Sequence, residues 1–375
     1  MLPSLAEMWK RGDGPSERAS RDSGWKVAAS AAVSRVREGR KPRSMKLIIQ
    51  IPCYNEEDSL PVTLDALPRE VPGFETVEWL VIDDGSTDRT VDVAMAHGVD
   101  HVVSHPHNKG LAQAFMTGIE ACLRLGADVI VNTDADNQYN AGDIPRLVGP
   151  ILARKAQIVV GARPIAEIVH FSRVKKLLQR LGSWVVSLAS GVSIPDAPCG
   201  FRAFDRAAAV QIYVFTDYTY TIETIIQAGR RNIAIASVPV ATNDVIRPSR
   251  LIKSTASYVL RSVLTIVRVF MLYMPMAFLG TLAAVSAGAG VVLCLRYLVY
   301  YFLGQGTGHV QSVILAAILL IAAMIFLMGA LISDMVAANR RLLEEVRMRR
   351  LADEIEKLRG TEGAGRGMTR SEPGE

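Results

Sequence analysis

The sequence predicts an α/β catalytic domain with a mostly parallel sheet, followed by a membrane-associated C-terminal segment. Three observations support this prediction. Short runs rich in Val and Ile alternate with stretches of helical periodicity between residues 45 and 250. Clusters of polar side chains follow the first, second and fourth of these runs. Two long segments near the C-terminus, 270–295 and 310–333, contain no charged side chain.

Composition narrows the class of protein before any motif is considered. The chain has 375 residues, 50% of them hydrophobic, and a positive mean hydropathy of +0.22, which is high for a wholly soluble protein. Its net charge of +5 suits nucleic acid or an anionic membrane surface, but no basic patch is interleaved with aromatic residues, which argues against nucleic acid. The four cysteines form no Cys-x-x-Cys pair, so we expect reduced thiols rather than a zinc site or a disulfide framework.

Five short β-branched segments predict the strands of the sheet. In chain order they are KLIIQIP, EWLVID, HVVSH, ADVIVN and AQIVVGA, and such runs are typical of strands buried on both faces. Helical stretches lie between them, such as Asp88–His97 and Leu111–Leu125, and Gly126 is a predicted helix stop. Alternation of strands with helices implies right-handed crossovers and a mostly parallel sheet.

The polar clusters lie at the carboxyl ends of the predicted strands, where ligands bind in such sheets. PCYNEE follows the first strand, DDGSTD the second and DADNQ the fourth. Two acids in a row, Asp83 and Asp84, suit hydrogen bonding to a base or a ribose. Asp88 is more simply explained as a cap of the next helix, and Glu57 as a charge at a helix N-terminus. The convergence of the three clusters predicts an active site at this edge.

Asp134, Asp136 and Gln138 alternate along the third cluster, and alternate side chains of an extended segment point to one face. Two carboxylates held together repel each other unless a cation lies between them. Two interpretations are open: a solvated turn at the end of the strand, or an oxygen-only site for Mg²⁺ or Mn²⁺. The apolar strand before the acids and the matching loops nearby favour the metal site, which suits a substrate diphosphate.

Seven segments carry a resemblance to a known family. They are PCYNEE, VIDDGSTDRT, HNKGLAQAFMTGIEAC, NTDADNQY, GAR, PCGFRAF and RPSRLIK, in this order, within roughly residues 46–255. The series resembles that of family 2 glycosyltransferases, in particular the dolichyl- or polyprenyl-phosphate sugar synthases of the dolichol-phosphate mannose synthase group. The resemblance implies the nucleotide-diphospho-sugar transferase fold called GT-A, in agreement with the α/β prediction. It implies a metal–diphosphate triplet of Asp134, Asp136 and Gln138, and a nucleotide-sugar site that comprises Pro52, Tyr54, Asn55, Glu56, Asp83, Asp84, Lys109, Asp134 and Ala135.

The resemblance also implies roles for basic residues. Arg163 in GAR would contact the phosphate of the acceptor, with Arg180 on the following basic helix as a second candidate. Arg247 and Lys253 in RPSRLIK would clamp the donor diphosphate from a mobile loop, because guanidinium and ammonium groups both suit phosphate oxygens. Lys253 also falls at helical spacing with Arg261, so the wet stripe of an interfacial helix is an alternative for it.

The sequence departs from the family pattern in two places. Cys199 in PCGFR replaces a small hydroxyl residue, and the Gln-x-x-Arg-Trp element of processive polysaccharide synthases is missing, which argues against a chain-elongating enzyme. Glu223, in YTIETIIQAG, lies where the family carries an acid near the acceptor. Three interpretations of it are open: a catalytic base, a partner that orients Arg202, or a structural surface glutamate.

The two uncharged segments are each long enough to cross about 30 Å of hydrocarbon, and a buried hairpin in a soluble core is the alternative. Tyr297, Tyr300 and Tyr301 flank the first segment as an aromatic belt, and basic residues gather outside both segments. The positive-inside rule therefore predicts an inner-membrane protein whose catalytic domain and termini are cytoplasmic. Residues 340–359 predict a charged amphipathic helix on or near that surface.

These expectations divide the chain into five parts. They are a flexible basic extension (1–44), a GT-A catalytic domain (45–250), an interfacial amphipathic helix (251–269), a transmembrane hairpin (270–333) and a charged cytoplasmic tail (334–375). Because the ordered pattern begins at Lys46, Met45 is an alternative start of the protein.

The predicted function is inverting transfer of a sugar from a UDP- or GDP-sugar to a polyprenyl phosphate, with Mg²⁺ or Mn²⁺ as cofactor. Asp136, Glu223, Arg247 and Lys253 are the candidate catalytic residues. The expected partners are the donor, the lipid acceptor and the membrane, and a homo-oligomer is open. Two alternative functions are open: transfer to a lipid hydroxyl, and non-catalytic binding of a nucleotide sugar by a membrane partner of another assembly.

Overall fold

The computed structural model describes residues 45–164, 173–214, 220–243, 264, 267–268, 271–304 and 310–368, without the side chains of residues 173–180 and 358–368. The predictions for the extension 1–44, for Arg247 and for Lys253 lie outside the described residues. Arg180 lies on a described helix, but its side chain is outside the description.

Seven strands form one mixed sheet in the order β3-β2-β1-β4-β6-β5-β7. β6 is antiparallel to β4 and β5, and every other pair is parallel. The five predicted strands are all present, and β6 and β7 were not predicted. The bounds are β1 (Lys46–Cys53), β2 (Thr76–Asp83), β3 (His101–Ser104), β4 (Val129–Asn132), β5 (Ile158–Ala162), β6 (Arg202–Asp205) and β7 (Ile235–Pro239).

The helices of the catalytic domain lie between these strands, and two long helices follow. The predicted helix at 88–97 begins at Thr90, because the Asp88 carboxylate lies before it and accepts a hydrogen bond from the Thr90 N–H at 3.0 Å. Gly126 has a φ of 85° just after the third helix, as a helix stop requires. The bounds are α1 (Leu60–Ala66), α2 (Thr90–Ala96), α3 (Leu111–Arg124), α4 (Ile144–Leu152), α5 (Arg173–Ser190), α6 (Arg206–Gln211), α7 (Tyr220–Arg230), α8 (Pro275–Phe302) and α9 (Val310–Met368).

The core of the catalytic domain consists of the central strands and the helices that cover them. Ile49 of β1, Val131 of β4 and Phe115 of α3 are each completely buried. Burial of such side chains stabilises the fold by about 1.5–3 kcal/mol each. In the parallel register, Cys53 of β1 lies beside Asp83 of β2. The core therefore holds the carboxyl ends of these strands at one edge of the sheet.

α8 and the first part of α9 are long and apolar enough to cross a membrane. They pack against each other through small side chains, with Ala283 of α8 and Ala316, Ala323 and Ala330 of α9 all buried. Large apolar side chains cover the outer faces of the pair, such as Ile325, which is 64% exposed. Both predicted spans fall mainly within longer helices, and this apolar exterior supports membrane association.

The charged helix predicted at 340–359 is present as the continuation of α9, and it packs against the catalytic domain. Ile355 is 5% exposed. Arg347 forms an ion pair with Glu120 of α3, and its guanidinium lies 3.5 Å from the ring centroid of Tyr213. The charged part of α9, which continues the apolar hairpin, is thus joined directly to the catalytic domain.

Candidate active site

Three loops meet at the carboxyl edge of the sheet because β2, β1 and β4 are parallel neighbours. We refer to residues 54–59 as the first loop, residues 84–89 as the second loop and residues 133–139 as the third loop. They contain the three polar clusters that the sequence singles out. The sheet order confirms the predicted α/β fold, from which we expected the three clusters to lie at one edge.

The first and second loops are hydrogen-bonded to each other. The Asn55 backbone N–H donates to the Ser86 hydroxyl at 2.9 Å, and the Asn55 amide oxygen accepts from the Thr87 N–H at 2.8 Å. Asn55 has a φ of 54°, in the left-handed region that asparagine tolerates. Tyr54, next to it, is 42% exposed at the rim and has an aromatic face of the kind that stacks on a base. Pro52 is buried at the end of β1.

Asp84 holds the second loop against the segment that follows β3. Its Oδ1 accepts from the Lys109 N–H at 2.9 Å and lies 2.7 Å from His105 Nδ1, and its Oδ2 accepts from the Gly110 N–H at 2.8 Å. The carboxylate is therefore occupied by the protein itself. Lys109 reaches Asp84 through its backbone N–H, and its side chain is exposed.

Asp83 is better placed than Asp84 to contact a ligand. Its Oδ1 accepts from the Ser86 N–H at 2.9 Å, and within the described part of the chain its Oδ2 accepts no hydrogen bond. Gly85 makes the turn between Asp83 and Ser86 with a φ of 74°. A Cβ at Gly85 would lie 2.6 Å from the His107 backbone.

Asp134 lies in a cradle of aromatic residues at the start of the third loop. The Tyr139 hydroxyl hydrogen-bonds to the Asp134 carboxylate and accepts from the Gly200 N–H at 3.0 Å. Phe201 stacks on Tyr139 with ring centroids 5.2 Å apart. The Tyr220 hydroxyl closes the other side of the cradle beside Gly200.

The electrostatics of the third loop favour a divalent cation. Burial, and then the neighbouring Asp136 carboxylate, raise the pKa of Asp134 to about 7, against the opposing effects of Arg163 and the Tyr139 hydroxyl. Among the residues that the structure describes, no three His, Cys, Asp or Glu side chains form a metal-binding group. Asp134 and Asp136 could supply two carboxylates, and the Gln138 amide oxygen could be a third donor. Such a set fits Mg²⁺ or Mn²⁺ that keeps positions for a diphosphate.

Asn243, just after β7, ties the third loop in place. Its side-chain amide donates to the Asn137 backbone oxygen at 3.0 Å and to the Tyr139 backbone oxygen at 3.2 Å. Its backbone N–H donates to the Gln138 backbone carbonyl at 3.0 Å. Asn137 has a φ of 54°, so the loop turns sharply between Asp136 and Gln138. On the other side, the Thr63 hydroxyl donates to the Ala135 carbonyl at 2.8 Å.

Comparisons with known proteins identify the family. Residues 48–212 match the family described as glycosyl transferase family 2. The undecaprenyl-phosphate mannosyltransferase of Micrococcus luteus is 30% identical over 206 residues, which are 52% of this chain and 83% of that protein. The chain belongs to glycosyl transferase family 2. It is therefore a glycosyltransferase, and its sheet is that of the GT-A fold.

Two further relatives have different sugars in their names. A dolichyl-phosphate beta-glucosyltransferase of Trichomonas vaginalis is 29% identical over 52% of this chain and 65% of its own length. A UDP-N-acetylglucosamine–dolichyl-phosphate N-acetylglucosaminyltransferase of Methanococcus voltae is 28% identical over 51% of this chain and 83% of its own length.

Arg163 of this glycosyltransferase is held by a buried carboxylate. Its Nε lies 2.7 Å from Asp196 Oδ2 and its Nη2 lies 3.0 Å from Asp196 Oδ1, in a bidentate pair. The side chains are 10% and 0% exposed. Burial lowers the pKa of the Arg163 guanidinium, but the hydrogen bonds to Asp196 raise it above its ordinary value. In this pair the Asp196 carboxylate neutralises the charge of Arg163, the residue that the resemblance assigns to the acceptor phosphate.

Glu223 is not a surface residue. It is 2% exposed on α7, where its Oε1 lies 3.5 Å from Gln227 Nε2, and the Tyr273 hydroxyl lies beside it. A role of Glu223 in orienting Arg202 stays a prediction, and the direct hydrogen bonds of Arg202 go to other groups. Arg202 is completely buried, and its guanidinium donates to the carbonyls of Ala197, Cys199 and Thr221 and to the Thr224 hydroxyl.

Four residues around the third loop were not predicted as site residues. Tyr139, Gly200, Tyr220 and Asn243 orient Asp134 and the loop without being candidate ligands themselves. Tyr139 and Gly200 lie inside segments that carry the family resemblance, NTDADNQY and PCGFRAF. Their position in these motifs could have identified them as site residues. Asn243 lies in no such segment.

Proposed function

We propose that this glycosyltransferase moves a sugar from a nucleotide-diphospho-sugar to a polyprenyl phosphate, with inversion at the anomeric carbon. The observation that carries the proposal is the junction between the site and the apolar hairpin. Arg231, directly after α7, forms an ion pair with Glu344 of α9 at 2.9 Å. Tyr220, at the start of the same helix, lies at the Asp134 cradle. This direct link between the helix that borders the site and the apolar hairpin supports an acceptor that is drawn from the membrane.

The donor site follows from the three loops. The Tyr54 ring and the Asp83 carboxylate would contact the nucleoside. Asp134 and Asp136 would hold Mg²⁺ or Mn²⁺, with Gln138 as a third ligand. The bound ion would supply positive charge to the departing nucleoside diphosphate. Arg247 and Lys253 remain the proposed clamp on the same diphosphate.

The acceptor chemistry favours a phosphate over a hydroxyl. An oxygen of the lipid phosphate would form a bond to the anomeric carbon while the bond from that carbon to the diphosphate oxygen breaks. A phosphate oxygen is already anionic near neutral pH, so no protein base has to remove a proton. A lipid hydroxyl would need such a base, and Glu223 is buried beside Gln227 and Tyr273.

The relatives support the acceptor class and leave the sugar open. Their names share a polyprenyl-type phosphate acceptor, whereas the sugars are mannose, glucose and N-acetylglucosamine. We therefore propose the acceptor class, and UDP or GDP as the donor nucleotide. The catalytic domain would face the cytoplasm, with the basic end of α9 on the same side as the site.

The test is a screen of UDP- and GDP-sugars with undecaprenyl phosphate and the full chain in detergent. Release of nucleoside diphosphate identifies the donor, and mass analysis of the product identifies the linkage. We expect a sugar joined to the lipid through one phosphate, cleaved by mild acid. A sugar attached directly to a lipid hydroxyl would instead support a glycolipid synthase. Tight nucleotide binding without turnover of any sugar nucleotide would support the non-catalytic alternative.

A further inference from the structure

A cavity lies between the catalytic domain and α9, apart from the three loops. Its volume is about 400 Å³, within the range of small-molecule sites. The end of α7, the segment before α8 and the charged part of α9 surround it. Its charged lining consists of Arg230, Arg231, Arg340, Arg341, Glu344 and Glu345.

The acids of this cavity are already paired. Glu344 lies 2.9 Å from Arg231 and 3.2 Å from Arg340. Glu345 lies 2.5 Å from Arg349, one turn further along α9. Neither carboxylate is therefore left to balance the remaining arginines.

Arg230 and Arg341 supply the positive charge that remains. Arg230 donates to the backbone carbonyl of Tyr273, and among the described residues it pairs with no carboxylate. Arg341 forms no ion pair within the described part of the chain, and its side chain is exposed. Burial lowers the pKa of Arg230, and the nearby Arg341 and Arg340 lower it further. The cavity is thus short of negative charge.

The cavity lies where the apolar hairpin meets the charged part of α9. Tyr273, in its wall, precedes the apolar helix α8, which begins at Pro275. Arg340 lies about two helical turns beyond residue 333, where the uncharged part of α9 ends. The arginines of the cavity therefore stand at the boundary between the apolar hairpin and water.

The cavity is separate from the catalytic edge. Tyr220 and Arg230 stand at opposite ends of α7, which makes them about 15 Å apart along the helix. A molecule in the cavity would leave the Asp134 cradle open.

We propose that this cavity binds the phosphate of an anionic membrane phospholipid, separately from the acceptor. Arginine forks bind phosphate oxygens through charge-assisted hydrogen bonds, and basic pockets beside membrane helices bind anionic headgroups. The occupant is the headgroup of a bilayer lipid because the cavity lies next to the apolar parts of α8 and α9, and so beside the membrane that these helices would enter. The proposal depends on membrane association and not on the sugar-transfer reaction.

Native mass spectrometry of the full chain in detergent tests the proposal, with phosphatidylglycerol and phosphatidylcholine as probes. We expect tighter binding of phosphatidylglycerol, and at least about a tenfold loss of that preference in the Arg230→Gln/Arg341→Gln variant. The matched control is Arg350→Gln/Lys155→Gln, which removes the same charge from exposed positions outside the cavity. It should bind phosphatidylglycerol as the unmodified chain does. Equal binding of the two lipids, or an equal loss in the control, overturns the proposal.

Further measurements separate the sources of the phosphate. An Arg230→Lys/Arg341→Lys variant keeps the charge and should retain most of the binding, which shows that a loss in the glutamine variant is not misfolding. Millimolar inorganic phosphate should leave phosphatidylglycerol bound, and its displacement would assign the cavity to a free anion. KM for undecaprenyl phosphate should be unchanged in the glutamine variant. A parallel rise in that KM would make the cavity the acceptor site and overturn the proposal, while the proposed sugar transfer would stand.

Discussion

The α-carbon of Gly200 lies against the carboxylate of Asp134. A Cβ at position 200 would be 3.0 Å from Asp134 Oδ2, 3.1 Å from Oδ1 and 2.8 Å from the Tyr220 hydroxyl. Gly200 is therefore required for a close approach of backbone to side chain, and not for an unusual backbone angle. This contact explains why a glycine stands inside PCGFR, a segment that is distant in sequence from the acids of the third loop.

The first prediction concerns this contact. In Gly200→Ala the new methyl group pushes the Asp134 carboxylate away from its position, so we expect Mn²⁺ affinity and kcat to fall by about 10–100-fold. Titration of the purified protein with Mn²⁺ measures the affinity. Gly182→Ala on α5 is the control, because a Cβ there meets nothing within 4 Å. Equal Mn²⁺ affinity in both variants would contradict the role of Gly200.

The second prediction concerns the metal. Asp136→Asn keeps the shape of the side chain and removes one of the two carboxylates, so we expect a loss of at least about 10²-fold in metal-dependent turnover. Thermal unfolding of the metal-free protein should shift upward or stay unchanged, since the repulsion with Asp134 is relieved. The control is Asp65→Asn at an exposed position on α1. Full turnover in excess chelator would rule out the metal.

The parallel part of the fold was predictable because its signal is local. Runs such as KLIIQIP are apolar throughout, so a buried strand and the polar loop after it are recognisable together. β6 was missed for a physical reason: it is four residues long and begins with Arg202, whose buried guanidinium is satisfied by backbone carbonyls. An arginine in that position gives no apolar run, although its neighbours Ala203 and Phe204 are buried.

Partnerships inside the site were harder to predict because they join distant parts of the chain. The donor motif does not distinguish Asp83 from Asp84, and the difference depends on His105 and Lys109, which reach Asp84 only once β3 lies beside β2. Arg163 offers a charge in the sequence, but Asp196, 33 residues later, neutralises it. Residue type indicates which ligands the edge could bind, whereas the distribution of its hydrogen bonds required the sheet order.

The third prediction concerns Asn243 as a positioning residue. Asn243→Ala removes the donors to the Asn137 and Tyr139 carbonyls, so the third loop loses its tether on the β7 side. We expect about a 10–100-fold weaker affinity for Mn²⁺. KM for the nucleotide sugar should rise at limiting metal and recover at saturating metal, which a general loss of stability would not produce. Gln211→Ala is the control, because in the described part of the chain that amide donates to the Ala207 carbonyl of its own helix and lies away from the third loop.

The fourth prediction separates the structural role of Arg163 from a role at the acceptor. Arg163→Met removes the guanidinium that neutralises the buried Asp196 carboxylate, so we expect the free energy of unfolding to fall by about 3–5 kcal/mol. The double variant Arg163→Met/Asp196→Leu removes both charges and should recover most of that loss. Thermal unfolding in detergent measures both variants. KM values then decide the second role, because the double variant is folded and lacks the guanidinium. If Arg163 also contacts the acceptor phosphate, KM for polyprenyl phosphate should stay raised while KM for the nucleotide sugar returns to that of the unmodified chain. Recovery of both values would mean that the guanidinium serves only the pair with Asp196, and that the acceptor phosphate is bound by other cations.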